Sequence, residues 1–233
     1  MPSNVTYKGG KRSRRVSRFS TKSRPARLSN VARAWPYAST TNLQMWDPFP
    51  AKATALMRYS TVITIDPSTA TPGSWLFRAN SIHDPDFTGV GHQPYAHDTY
   101  QSIYNHYNVK SSILTMAATG AQDGIFGVSL TDDSSVNSNY DTIRETKGTQ
   151  MSVLTANAGP QQKVVNRYNC NKNFDIPYQK ATSANFGASP SEGMIYQCWY
   201  EAANELADQG AMTFLVTITY IVDMWELKDL GQS

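Results

Sequence analysis

The segment "AMTFLVTITYIVDMWEL", residues 211–227, alternates apolar and polar positions with a period of two. Met212, Phe214, Val216, Ile218, Tyr220, Val222 and Met224 fall on one side. Thr213, Thr217, Thr219 and Asp223 fall on the other, with Leu215, Ile221 and Trp225 between them. β-Branched and aromatic residues in this period predict a half-buried strand. "TALMRYSTVITID" (54–66) alternates in the same way and gathers Ala55, Met57, Tyr59, Ile63 and Ile65. "EGMIYQCWYEA" (192–202) places Met194, Ile195, Tyr196, Trp199 and Tyr200 in another strand. Shorter runs at 74–81, 108–118, 124–131, 149–155 and 162–168 bring the predicted strands to eight.

Long connections separate them at 82–107, 132–148 and 169–191. Eight strands without alternating helices predict an all-β fold, a single eight-stranded antiparallel jelly roll. One helix is predicted inside the first connection, in "HDTYQSIYNHY" (97–107). There Asp98 stands in capping-box spacing to Gln101, and Tyr100, Ile103, Tyr104 and Tyr107 share one helical face. Those tyrosines are expected to pack against the sandwich or a neighbour rather than stack on bases.

The first 46 residues break this pattern. They carry ten basic groups and no acidic one, whereas the remainder carries 11 basic against 18 acidic groups. The basic residues are Lys8, Lys11, Arg12, Arg14, Arg15, Arg18, Lys22, Arg24, Arg27 and Arg33. Few sizeable apolar groups accompany them, and their order has no helical or strand period. Such a segment buries too little apolar area to offset its ordering entropy, which predicts disorder in isolation. The chain is therefore read as a disordered arginine-rich arm over residues 1–35 and a jelly-roll domain over residues 36–233.

Basic clusters of this density bind polyanions by releasing condensed counterions, and arginine adds forked contacts to phosphate oxygens. All ten basic residues are candidate nucleic-acid contacts. Lys11, Arg12, Arg14 and Arg15, in "KRSRR", also match a nuclear-localisation signal. The arm holds no zinc finger, recognition helix or aromatic RNA motif, so binding independent of base sequence is expected. Charged residues make up 17% of the chain, below the roughly 25% of soluble domains, which fits a surface covered by neighbouring subunits.

Catalytic chemistry finds little support. His83, His92, His97 and His106 cluster beside Asp84, Asp86 and Asp98, but their spacings do not bring ligands from several strands together. They are read as loop histidines in hydrogen bonds or interface contacts; no metal and no cofactor is expected. Neither a nucleophile elbow nor a phosphate loop is present. Cys170 and Cys198 are expected to be free thiols. No segment reads as a signal peptide, and the most apolar run is too short and threonine-rich for membrane insertion.

Residues 77–112, "FRANSIHDPDFTGVGHQPYAHDTYQSIYNHYNVKSS", carry several unusual pieces in order. Arg78 and Asn80 belong to an R-A-N-S strand end, and Asp84, Pro85 and Asp86 form a D-P-D turn. Gly91, His92, Gln93, Pro94 and Tyr95 stand in G-x-G-H-Q-P-Y, and Tyr104, His106 and Tyr107 in Y-N-H-Y. This stretch resembles the capsid proteins of circoviruses and circovirus-like single-stranded DNA viruses that encode a replication initiator. The basic start, the length and the apolar last strand extend the resemblance loosely over the chain, although this arm is less arginine-dense than in many such proteins.

What the resemblance implies is a jelly roll that self-assembles into a small icosahedral (T=1) shell around circular single-stranded DNA, with the arm inside. It implies a virion protein that enters the host nucleus for assembly. The implied partners are further copies of the chain, the DNA genome, a host nuclear import receptor and a cell-surface receptor. Two other readings differ in class: a cellular β-domain that binds nucleic acid non-specifically through a basic tail, and a metal-dependent jelly-roll enzyme.

Overall fold

A computed structural model describes residues 48–69, 71–120, 122–155, 162–175, 179–204, 210–229 and 231. The predicted arm, with Lys8 through Arg33, lies outside the described residues. The strands are β1 (Lys52–Ile65), β2 (Gly73–Arg78), β3 (Tyr104–Ala118), β4 (Gly124–Thr131), β5 (Gln150–Leu154), β6 (Lys163–Asn169), β7 (Ser183–Asn185), β8 (Ile195–Ala202) and β9 (Met212–Leu227). They form two sheets. The first runs β1-β9-β3-β6, with β7 also paired to β3; the second runs β2-β8-β4-β5. Every pairing between these strands is antiparallel.

Apart from the three-residue β7, the order has a simple logic. The first strand pairs with the last, β2 with β8, β3 with β6, and β4 with its neighbour β5. That is one long hairpin, bent at β4–β5 and rolled into two layers, which is the jelly roll. The eight predicted strands are all present, and β7 is an addition inside the third long connection.

The core lies between the sheets, and the alternation in β9 decides which side faces it. Met212, Phe214, Val216, Ile218, Tyr220, Val222 and Met224 are all buried. Across the β1–β9 register, Met57 stands opposite Tyr220, Tyr59 opposite Ile218 and Ile63 opposite Phe214. Such side chains contribute about 1.5–3 kcal/mol each when fully buried. In β3 the register shifts between Val109 and Ser111. The inward set changes there from Tyr107 and Val109 to Ser112, Leu114, Met116 and Ala118. One extra residue at Lys110 thus keeps both halves of a 15-residue strand facing the core.

The predicted helix is shorter than its tyrosine pattern suggests. Helix α1 (His97–Ile103) is capped by Ala96, which adopts a left-handed conformation (φ 69°) and donates no side-chain cap. Asp98 lies in the first turn instead of capping it. Tyr104 and Tyr107 belong to β3 and point into the core. Pairing of Tyr104 with Leu227 continues the β3–β9 ladder, and tyrosine suits a half-buried strand, so the ladder outweighs the helical spacing.

The other connections also carry structure. Helix α2 (Tyr140–Glu145) is capped by Asn139, whose Oδ1 accepts from Thr142 N at 3.0 Å. Helix α3 (Cys170–Asn173) is capped by Asn169, and a 3-10 turn spans Gln179–Thr182. The connection bearing α2 is bonded to the outer side of β8. Gln197 Nε2 donates to Asn137 O at 3.2 Å, and Arg144 Nε donates to Glu201 Oε1 at 2.7 Å. All eight residues of β8 are buried as a result. Cys170 and Cys198 are free and buried, and burial pushes the Cys198 thiol well above its ordinary pKa.

Candidate assembly and nucleic-acid interface

The loop between β2 and α1 is built around two side chains. Arg78 Nη1 donates to Asp84 O at 2.6 Å and to Asp86 O at 3.4 Å, while its guanidinium lies 4.6 Å over the Phe87 ring. Its own backbone N–H donates to Pro85 O at 2.7 Å, which closes the turn onto the strand end. Asp86 accepts from Thr88 N at 2.9 Å, Thr88 Oγ1 at 2.8 Å and Trp75 Nε1 at 3.2 Å. The D-P-D piece is thus a turn tied to β2, with Pro85 and Asp86 buried and Asp84 half-buried.

Asn80 staples this loop to the segment before β8. Its Nδ2 donates to Glu192 O at 2.7 Å, and its Oδ1 accepts from Met194 N at 2.9 Å. Gln93 Nε2 donates to Asp84 Oδ1 at 3.3 Å, and buried Pro94 accepts from His97 N at 3.0 Å. A Cβ at Gly91 would meet Asp86 Cβ at 2.7 Å and Tyr59 Oη at 2.9 Å, so only glycine passes there without displacement. Tyr95 N donates to Arg58 O at 3.1 Å and covers part of the free edge of β1. The motif residues brace a loop; most of them leave no free polar group for a partner.

The two motif tyrosines are structural. Tyr104 Oη donates to Pro50 O at 2.8 Å, and Tyr107 Oη donates to Ala188 O at 2.8 Å. Burial, partly offset by a hydrogen bond with Ser81, pushes the Tyr107 phenol up to about 12. The histidines are spread among separate partners. His83 lies 3.4 Å from Asp84, His97 3.0 Å from Asp98 and His106 2.8 Å from Glu226. His92 stacks on Tyr59 with ring centroids 4.5 Å apart. Among the described residues no three metal-ligating side chains converge, and no helix is long and apolar enough to cross a membrane.

Large apolar groups do reach the surface. At the loop tip Val90 and Tyr95 are 85% and 87% exposed, and on edge strand β5 Met151 and Val153 are 54% and 60% exposed. On the outer face of the first sheet, exposed Leu56 stands opposite Ile221, and Val62 opposite Leu215. Exposed apolar groups gathered on edges and loop tips are the raw material of protein–protein contacts.

No protein-family model matches this chain, and no curated protein matches it significantly. Solved structures do resemble it. That of a mud crab tombus-like virus is 8% identical, covers 83% of this chain and 96% of its own, and has a TM-score of 0.50. Turnip yellow mosaic virus is 12% identical over 78% of this chain and 99% of its own, with a TM-score of 0.47. The capsid protein of BFDV, solved as a 60-mer, is 10% identical over 79% and 100%, with a TM-score of 0.46. At such identities the likeness speaks to fold alone. The fold is a jelly roll of the viral capsid type.

Sequence reasoning missed the α2 connection. Its polar composition reads as an exposed loop, yet Tyr140 and Ile143 are buried and Arg144 reaches wholly buried Glu201. A signal was present: Glu201 is the one charged residue of β8, and a buried carboxylate demands a cation.

Proposed function

We propose that this protein is a viral capsid protein that self-assembles into a small icosahedral shell and packages circular single-stranded DNA. In this reading it belongs with the circovirus-like capsid proteins its loop resembles, and it acts as a structural protein rather than an enzyme. The observation that carries the reading is the division of the chain. A body with the capsid-type jelly roll holds 11 basic against 18 acidic groups, while its first 46 residues hold ten basic groups and no acid. A genome supplies the anion, and Lys8, Lys11, Arg12, Arg14, Arg15, Arg18, Lys22, Arg24, Arg27 and Arg33 supply its counterions. Lys11, Arg12, Arg14 and Arg15 double as the nuclear-localisation signal that brings the protein to the site of assembly.

Self-association draws on the exposed apolar groups. Val90 and Tyr95 at the loop tip and Met151 and Val153 on β5 are the anchors that neighbouring copies cover. The loop holds its tip in place through Arg78, Asn80 and Asp86. The test is size-exclusion chromatography of the full chain with absorbance recorded at two wavelengths, followed by electron microscopy. Uniform particles rich in nucleic acid are expected in the void volume, and a Tyr95→Ser, Met151→Ser variant is expected to remain folded but smaller. A wild-type protein that elutes only as a low-mass species under every ionic condition would contradict the reading.

A further inference from the structure

The outer face of the first sheet can be read row by row from its register. Leu56, Ile221, Ser111 and Asn169 form one row across β1, β9, β3 and β6. The next row is Arg58, Thr219, Ile113 and Arg167, followed by Ser60, Thr217, Thr115 and Val165. Val62, Leu215, Ala117 and Lys163 form the last row across all four strands. These rows hold three cations and no carboxylate, although the body as a whole has a clear acidic excess. Arg58, Lys163 and Arg167 are exposed, and each stands without a carboxylate partner among the described residues.

Both ends of this field extend the same chemistry. Beyond Leu56 it meets Lys52 and Lys110 beside a cleft of about 450 Å³ that Asn108, Asn171 and Trp225 also line. Asp223, the carboxylate there, is already engaged by Lys110 at 3.3 Å and by Thr54 at 2.7 Å. Beside Arg167 a second cleft of about 850 Å³ adds Lys147 and Lys172, with Asp132 as its one acid among the described residues. The rows also hold seven apolar side chains, Leu56, Val62, Leu215 and Ile221 among them, and beside these the unpaired guanidinium groups stand with hydroxyls and amides that match phosphate oxygens, which accept from all three.

We propose that this sheet face is a second nucleic-acid contact, on which the phosphates of a single strand cross from Arg58 to Arg167, about 14 Å apart at normal strand spacing. The inference rests on the capsid reading and deepens it: the first sheet is the side of the subunit turned toward the genome. The occupant is a polyanion because the charge is one-signed. A second copy of the acidic body is the competing occupant, and the test separates the two.

Binding of an oligothymidylate to the full chain is measured by fluorescence anisotropy across a salt series. The triple variant Arg58→Gln, Lys163→Gln, Arg167→Gln is expected to bind at least tenfold more weakly at low salt. The slope of log affinity against log salt should fall by about 2, from three phosphates at about 0.7 each. The charge-preserving variant Arg58→Lys, Lys163→Arg, Arg167→Lys is expected to keep both values. If the triple variant does not fold, Arg58→Gln and Arg167→Gln tested singly carry the experiment, each lowering the slope by about 0.7.

Neutralising Lys11, Arg12, Arg14 and Arg15 in parallel separates the two readings. Loss in that variant with wild-type binding in the face variant overturns the face and leaves the arm. Unchanged binding in both overturns the two together. A face variant that binds DNA normally but no longer self-associates assigns the face to a second copy and overturns the proposal.

Discussion

On the second sheet every residue of β8 is buried, because the β4–β5 connection is bonded across its outer side; on the first sheet Leu56 and Val62 of β1 stay 69% and 61% exposed. Several polar side chains of the covered face find their partners internally. Glu201 takes Arg144, Gln197 takes Asn137, and Ser129 Oγ lies 2.8 Å from Thr149 Oγ1. The open face leaves Arg58, Arg167 and a field of hydroxyls to whatever lies outside. One sheet is thus sealed by the chain's own connection, while the other keeps its surface open.

Breaking the covered face should have the largest effect. Arg144→Met leaves the wholly buried Glu201 carboxylate without its guanidinium, and a loss of about 4 kcal/mol is expected in urea unfolding. A value under about 1 kcal/mol would mean that face is not sealed as described. The inner faces offer the next test, since both sheets line them with buried tyrosines. Tyr107 of the first sheet has its pKa raised to about 12, and Tyr196 of the second is also raised, both chiefly by burial.

A phenol raised above its unfolded value near 10 contributes stability in full below pH 10 and loses it as pH climbs through 12. Tyr107 alone accounts for roughly 3 kcal/mol of that loss. Unfolding midpoints that stay flat between pH 9 and pH 12 would contradict this burial. Gly127 comes next: a Cβ there would meet Trp199 Cζ2 at 2.5 Å and Gln150 O at 2.7 Å. Gly127→Ala is expected to cost about 2 kcal/mol by overpacking the covered side. The smallest effect belongs to the open face, where Leu56→Thr should stay within about 0.5 kcal/mol of wild type.

The strands were legible because period two marks a sheet with distinct sides. In β9 the predicted inward set matches the buried one residue for residue, and in β1 it does so for Met57, Tyr59, Ile63 and Ile65, while Ala55 is only half-buried. In β8 both sides are buried, so period alone could not name the side facing the core; Ile195 and Trp199 were grouped with Tyr196 and Tyr200 although they point the opposite way. The Tyr104–Tyr107 spacing misled for a related reason. A spacing of three fits a helix, but Tyr104 pairs with Leu227 and Tyr107 with Met224, and that pairing with β9 fixes the outcome. The motif loop was visible as residues but not as roles: Arg78 donates to backbone carbonyls of its own loop and Asp86 accepts from Thr88 and from Trp75 of β2, and such contacts follow from a closed turn rather than from residue type.

Under the proposed function the labour is divided: the body builds the shell and the basic first segment loads it. Nuclease-protected nucleic acid in the purified full chain, compared with a variant lacking residues 1–34, tests it most directly. Protected nucleic acid is expected in full-length particles, with a drop of at least tenfold in the truncated protein, whose body remains folded. Equal protected nucleic acid in the two proteins would contradict it.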